Sequence, residues 1–141
     1  KLTEVLDKIR SYWGGMLDLG AVTFWEEYDP SVPKEEQYDM YGDHFGKSLC
    51  HAWAASPIYF LAKYFAGLDL VNKDGVTYIL KPQMQYFTEL DCTLPVGSNG
   101  AVRLVWDGEI LEITPNADGG ILELGEQKLS LVRGETRRVK I

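Results

Sequence analysis

The fold of the second half of the chain is decided by residues 101–114, which read Ala-Val-Arg-Leu-Val-Trp-Asp-Gly-Glu-Ile-Leu-Glu-Ile-Thr. Two runs rich in β-branched and apolar residues flank the dipeptide Asp107-Gly108. Asp-Gly accepts the positive φ values of a type I′ turn, which is a common connection in two-residue hairpins. The pattern therefore predicts a β-hairpin that turns at this dipeptide.

Similar short runs fill residues 76–141, and turn signals such as Asp118-Gly119-Gly120 and Arg133-Gly134 separate them. About seven strands are predicted on this pattern. They are Val76–Leu80, Met84–Asp91, Ala101–Trp106, Glu109–Thr114, Ile121–Leu124, Lys128–Val132 and Thr136–Ile141. Short strands at this regular spacing are typical of a small antiparallel β-sandwich.

The first half has a helical pattern instead. Apolar residues from Leu2 to Trp13 recur every three or four positions and predict an amphipathic helix that weakens or ends at Gly14-Gly15. A second helix is predicted from a cap at Ser56, with Pro57 in its first turn and Gly67 just past its end. Its body is apolar nearly all round, so it must be covered on nearly all sides.

An extended stretch is expected at residues 22–25, and residues 29–47 form a long loop between the helices. Loops of this length are usually functional or disordered. The loop and its edge carry aromatic residues that slightly favour a functional role, namely Tyr28, Tyr38, Tyr41 and Phe45. The chain changes character near Gly67–Asn72, so we divide it into residues 1–70 and residues 71–141, an α+β organisation.

Composition excludes several classes of function. The 141 residues carry a net charge of −7, which disfavours binding to nucleic acid or to anionic membranes. Cys50 and Cys92 show no metal-binding spacing, and His44 and His51 lack a suitably spaced third ligand, so we expect neither a metal nor a cofactor. No apolar run is long enough to span a membrane.

Two blocks of the first half are more specific. Residues 12–26 read Tyr-Trp-Gly-Gly-Met-Leu-Asp-Leu-Gly-Ala-Val-Thr-Phe-Trp-Glu. Residues 48–53 read Ser-Leu-Cys-His-Ala-Trp and are followed by Pro57 and a predicted helix that ends at Gly67-Leu68. Together with the terminal sandwich, they resemble the end of α-L-rhamnosidases of glycoside hydrolase family 78. The family usually has threonine where this chain has Val22, and asparagine where it has Cys50. Related six-hairpin glycosidases are an alternative.

The resemblance implies a fold and an activity. Residues 1–70 would be the last helices and active-site loop of an (α/α)6 barrel, and residues 71–141 its C-terminal β-sandwich domain. Most of the barrel would then lie outside this chain. The parent enzyme would be an inverting hydrolase of terminal α-L-rhamnosides, and we expect it to be a soluble periplasmic or extracellular protein.

The resemblance also assigns roles to four residues. Glu26 would be the general base, with the general acid supplied from the upstream barrel, and partial desolvation is expected to raise the pKa of Glu26. His51 would donate hydrogen bonds to a rhamnose hydroxyl, and Trp25 and Trp53 would form apolar platforms against the sugar. The alternatives are a solvated charge for Glu26, a hydrogen-bonded buried histidine for His51, and core packing for both tryptophans.

Other residues of this region have weaker claims. Glu27 is adjacent to Glu26 but points elsewhere in helical or extended geometry, so it is expected to be supporting or solvated. Tyr28, Asp43 and His44 are candidates for the rim of a pocket.

The expected partner is a rhamnose-containing oligosaccharide or glycoside, and the isolated chain is expected to be inactive. A second hypothesis is a non-catalytic sandwich with a structural or carbohydrate-binding role. A third is self-association through the exposed apolar helix faces, which the missing N-terminal barrel would otherwise cover.

Overall fold

The computed structural model describes residues 1–73 and 76–141 and shows an α+β protein. Across these residues there are two α-helices and eight strands. The helices are α1 (Leu2–Asp18) and α2 (Ser56–Phe60); the strands are β1 (Leu68–Lys73), β2 (Val76–Leu80), β3 (Leu90–Val96), β4 (Gly100–Trp106), β5 (Ile110–Pro115), β6 (Gly120–Leu124), β7 (Gln127–Leu131) and β8 (Arg137–Lys140). The chain forms two compact units, Lys1–Tyr59 and Phe60–Ile141, here called the N-unit and the C-unit. The predicted domain boundary after residue 70 stays a prediction.

Helix α1 dominates the N-unit and runs straight through Gly14 and Gly15. The pair was predicted to weaken or end the helix; the helix does not end there, and Gly15 has a packing role within it. The ring of Tyr28 lies so close to Gly15 that a Cβ atom there would clash with it, whereas a Cβ at Gly14 would meet open space. The helix ends after Asp18, where Gly20 adopts a positive φ.

The core of the N-unit is small. Met16, Ala21 and Trp25 are buried together, and aromatic rings of the same unit pack around them. The stretch 22–25, predicted to be extended, forms no regular strand. It is held instead by single hydrogen bonds to residues 49–51, which are described with the site below.

The C-unit contains two four-stranded sheets, in the orders β1-β2-β6-β7 and β3-β4-β5-β8. Inward-facing residues of both sheets, among them Tyr78, Leu104 and Leu122, form one buried cluster. The small β-sandwich predicted from the sequence is therefore confirmed. One pair departs from the antiparallel pattern, since β2 and β6 run parallel, with Tyr78 opposite Gly120.

One strand prediction in the C-unit was wrong in position, and one strand was missed. Residues 84–86 form a single 3-10 turn, with Met84 buried in the core, and the next strand begins at Leu90. Strand β1 was missed, because most of its side chains are exposed and its pairing with β2 shifts register between Leu70 and Lys73. Such a strand lacks the alternation of buried and exposed residues that a half-buried strand shows.

The predicted β4–β5 hairpin is confirmed, and Trp106 pairs with Leu111 across it. The turn is not type I′, which requires positive φ at both central residues, because only Gly108 of the Asp-Gly dipeptide has one. The carboxylate of Asp107 instead accepts hydrogen bonds from the backbone N–H groups of Glu109 and Ile110, at 2.9 and 2.7 Å. This carboxylate therefore stabilises a wider turn.

The second predicted helix is present but irregular. Helix α2 passes into a π-helical segment at Leu61–Phe65, and Gly67, with a φ of 73°, lies just past the end as predicted. The helical barrel implied by the resemblance is not shown by these helices and stays a proposal. In the part of the chain that the structure describes, no helix is long and apolar enough to cross a lipid bilayer.

Candidate active site

The candidate site lies in the N-unit, where two segments distant in sequence run side by side. The backbone N–H of His51 donates to the carbonyl of Phe24 at 2.7 Å, and the N–H of Glu26 donates to the carbonyl of Ser48 at 2.9 Å. The hydroxyl of Thr23 donates to the carbonyl of Leu49. Residues 23–26 and 48–51 are thereby paired, which brings the two blocks of the family resemblance together.

This pairing places the side chains of Glu26 and His51 beside each other. Nδ1 of His51 lies 3.9 Å from Oε2 of Glu26, and the side chains are 32% and 19% exposed respectively. At this distance the two groups attract each other as an ion pair only when the imidazole is protonated, and they do not form a hydrogen bond. The imidazole thus keeps its hydrogen-bonding groups available to a ligand beside the carboxylate.

Both oxygens of the Glu26 carboxylate are engaged. Oε1 accepts a hydrogen bond from the hydroxyl of Tyr41 at 2.8 Å, and Oε2 accepts one from the backbone N–H of Ser48 at 3.2 Å. Two donors on different segments fix the orientation of the carboxylate. Glu26 is therefore a half-buried, hydrogen-bonded group rather than the solvated surface charge considered from the sequence.

Tyr41 reaches Glu26 from a tight turn. The residue has a φ of 56°, and its neighbours Met40 and Asp43 exchange backbone hydrogen bonds at 3.0 and 2.9 Å. Gly46 packs so closely on the carbonyl of Met40 that a Cβ atom would clash there. A positive φ is uncommon for residues other than glycine and costs conformational energy. The turn thus holds Tyr41 in an unfavourable backbone conformation, with 83% of its surface exposed and its hydroxyl on the carboxylate.

The hydrogen bonds lower the pKa of Glu26. The largest cause is the Tyr41 hydroxyl, and the next is the Ser48 N–H. Attraction to His51, when its imidazole is protonated, and to Lys47 adds to them, and burial acts in the opposite direction. The expectation that desolvation would raise this pKa was wrong, because donors to the ionised form outweigh burial. The same bond to Glu26 raises the pKa of Tyr41.

The two predicted tryptophan platforms lie in opposite surroundings. Trp25 is 4% exposed, packs in the core of the N-unit, and makes an edge contact with Tyr38 at 5.5 Å between ring centroids. Core packing, the alternative considered from the sequence, fits Trp25. Trp53 is 92% exposed on the turn Ala52–Ala54, and its role as a platform stays a prediction.

The weaker candidates are dispersed around the loop. Glu27 is exposed, as expected for a solvated side chain. Tyr28 donates its backbone N–H to the hydroxyl of Tyr12 at 2.9 Å while its ring covers Gly15. Asp43 accepts a hydrogen bond from the N–H of Phe45, and His44 pairs with Asp39 at 2.6 Å. Among these contacts none joins Glu26.

Sequence reasoning missed the two groups that hold Glu26. Tyr41 was noted only as one aromatic residue of the loop, although Tyr41-Gly42-Asp43 is a turn-like sequence that could have directed attention to it. Ser48 acts through its backbone N–H, for which the sequence carries no signal. Within residues 1–73 and 76–141, no group of three or more histidine, cysteine, aspartate or glutamate side chains is arranged to hold a metal ion.

No protein-family model matches the chain, and a search of curated proteins finds no relative. The likeness to α-L-rhamnosidases therefore rests on the residues quoted above alone.

Proposed function

We propose that this chain is the C-terminal portion of an inverting α-L-rhamnosidase that hydrolyses terminal α-L-rhamnosides, with Glu26 as the general base. The observation that carries the proposal is the oriented carboxylate of Glu26, which is held by Tyr41 and Ser48 with His51 beside it. The N-unit would contribute the last helices of an (α/α)6 barrel, and the C-unit its closing sandwich domain.

In this reaction Glu26 takes a proton from a water molecule while the water oxygen attacks the anomeric carbon of rhamnose. The bond from that carbon to the leaving oxygen breaks, and a carboxylic acid on the opposite side protonates the leaving oxygen. Inverting enzymes separate the two carboxyl groups by roughly 6.5–9.5 Å so that the water fits between them. The general acid would come from the upstream part of the barrel.

The contacts of Glu26 suit the role of a base. The lowered pKa keeps the carboxylate ionised at neutral pH, as a base must be, but it also weakens the carboxylate as a base, so the support for this role comes from its fixed orientation. Tyr41 and Ser48 each occupy one oxygen and leave further lone pairs for a water molecule, because an ionised carboxylate has about four acceptor positions. His51 would donate to a sugar hydroxyl next to this water.

The neighbouring carboxylates provide a matched test. In the complete enzyme, Glu26→Gln should lower kcat by roughly 10²–10⁴-fold, the usual contribution of a positioned general base. Glu27→Gln removes an adjacent, exposed carboxylate and should leave kcat close to the wild-type value. Near-normal turnover of the Glu26→Gln enzyme, or an equal loss in both variants, would remove Glu26 from the mechanism.

The chain of 141 residues supplies a second test. Without a general acid on the opposite side of the bond, it should not hydrolyse an aryl α-L-rhamnoside. Clear hydrolysis by the isolated chain would show that both catalytic groups lie within it and would contradict the proposed division of roles.

A further inference from the structure

An open cleft with polar side chains at its rim lies at one end of the sandwich in the C-unit. It has a volume of about 460 Å³ and is formed by the β3–β4 turn, the β5–β6 turn, Thr77 of β2 and Arg133, which follows β7. Loops at the ends of a sandwich are common positions for binding sites, since a rigid scaffold presents them. The cleft is open to solvent, so a ligand bound there would stay partly exposed.

The turns around the cleft are fixed to one another. The backbone N–H of Asn116 donates to the carbonyl of Ala101 at 2.7 Å, and the hydroxyl of Thr77 donates to the carbonyl of Asp118. A Cβ atom at Gly100 would lie 2.6 Å from the Cβ of Ala117, so the two turns approach each other as closely as glycine permits. The cleft is therefore preorganised, which reduces the entropy lost when a ligand binds.

Several polar side chains at the rim have no hydrogen-bond or ion-pair partner among the described residues. Ser98, Asn99 and Asn116 are exposed, and their side chains have no hydrogen-bond partner among the described residues. Asp118 and Arg133 likewise form no ion pair with any residue that the structure describes. Other charges of the C-unit do pair, as Arg103 does with Asp91 at 2.7 Å. The cleft thus offers hydroxyl, amide, carboxylate and guanidinium groups together, with both donors and acceptors free.

We propose that this cleft binds a sugar ring through its hydroxyl groups. Each sugar hydroxyl both donates and accepts, and amide, carboxylate and guanidinium groups satisfy both needs. Among the described residues that line the cleft, one carboxylate and one guanidinium balance each other, which suits a neutral ligand. The carboxylate of Asp118 would repel a phosphate, and the lining residues that the structure describes include no aromatic ring to stack on a nucleobase. Because it also lacks a stacking platform for a sugar, the affinity should be weak, in the millimolar range.

This site lies wholly within the C-unit and does not depend on the proposed hydrolase. A sugar bound here stays intact, so the sandwich would hold a carbohydrate without acting on it. The hypothesis of a carbohydrate-binding sandwich thereby gains a defined location.

The test is an NMR titration of the chain with L-rhamnose, D-glucose and D-galactose, followed through backbone amide signals. At least one sugar should cause saturable shifts at Ser98, Asn99, Asn116 and Asp118. The double substitution of Asn116→Ala with Asp118→Ala should weaken that binding roughly tenfold or more, because hydrogen bonds to charged groups are the stronger ones. Lys128→Ala, which removes a charge that pairs with Glu123 away from the cleft, should leave the affinity unchanged.

Absence of saturable shifts at the cleft with all three sugars would overturn the proposal, as would unchanged affinity in the double variant. If that variant does not fold, Arg133→Gln, an exposed change, replaces it and should also weaken binding. Shifts confined to Glu26 and His51 would support the hydrolase proposal and still count against this one, so the two can fail separately.

Discussion

The two units of this chain differ in how many of their apolar side chains they bury. The C-unit buries residues from two sheets in one continuous core. The N-unit buries a cluster of only Met16, Ala21 and Trp25, and leaves large apolar residues such as Val22 and Trp53 almost fully exposed. Regular strands bury side chains by alternation, whereas a unit built from one helix and long loops has few means to do so. The candidate catalytic carboxylate lies in the unit with the smaller core.

The largest loss of stability that would test this difference between the units is expected from a substitution in the C-unit core. Leu104 is fully buried in β4, so Leu104→Ala should lower the free energy of unfolding by about 2–5 kcal/mol through lost burial and the cavity left behind. Leu70→Ala, at a mostly exposed position of β1, is the matched control and should have a small effect. Urea unfolding followed by far-UV circular dichroism measures both. Equal effects would contradict a core shared by the two sheets.

A smaller effect is expected in the N-unit, where Gly14 and Gly15 offer a matched pair on one helix. Gly15→Ala forces a Cβ atom into the ring of Tyr28 and should destabilise the unit by about 1–3 kcal/mol. Gly14→Ala meets open space and should stabilise it by up to about 1 kcal/mol, because alanine favours the helix. Thermal unfolding followed by near-UV circular dichroism of the aromatic residues checks both. If both substitutions change the free energy of unfolding in the same direction, Tyr28 does not pack on α1 as described.

The smallest effect concerns the ionisation of Glu26. Tyr41→Phe removes the donor that contributes most to the lowered pKa of Glu26, so this pKa should rise toward its ordinary value. Carbon-13 NMR of the carboxyl groups across a pH titration measures it, with the wild-type chain as the reference. Reciprocally, Glu26→Gln should bring the raised pKa of Tyr41 back toward its usual range.

The sign of the accompanying stability change follows from linkage. The pKa of Glu26 is lower in the folded chain than in the unfolded chain, so its contacts stabilise the fold above the ordinary glutamate pKa. That contribution is lost as pH falls through the lowered folded value. In the Tyr41→Phe variant, the pH-dependent contribution of Glu26 to the free energy of unfolding should be smaller. An unchanged pKa in this variant would mean that the hydroxyl does not hold the carboxylate in solution.

The fold of the C-unit was largely predictable because its strands alternate and its turns carry glycine. Strand β1 escaped prediction because it is an exposed edge strand with little alternation. In the N-unit, the end of α1 was misplaced because Gly14 and Gly15 look alike in sequence, and only the distant Tyr28 distinguishes them.

The site was predictable only in part. The resemblance named Glu26 and His51, and the structure places them side by side through pairing between residues 23–26 and 48–51. No local pattern predicts that pairing. The turn at Tyr41 had a signal in the sequence, but the contact of Tyr41 with Glu26 had none, because it depends on a positive φ and on the close approach of Gly46 to Met40. The predicted direction of the Glu26 pKa shift was wrong for the same reason, because the main cause of the observed shift is the hydrogen bond from Tyr41.

The parallel pair β2–β6 has a consequence for the order of folding. In sequence, β2 lies before and β6 lies after the antiparallel meander of strands β3, β4 and β5. The two strands can therefore pair only after the chain between them has folded so that its ends are close together. Hairpins form from neighbouring segments in microseconds, whereas contacts between distant segments carry a larger entropic cost and form more slowly. The meander is therefore expected to form early, and the seam at Tyr78 and Gly120 to close late. A substitution that weakens the β2–β6 pairing would chiefly raise the unfolding rate, so this pairing determines the lifetime of the folded sandwich.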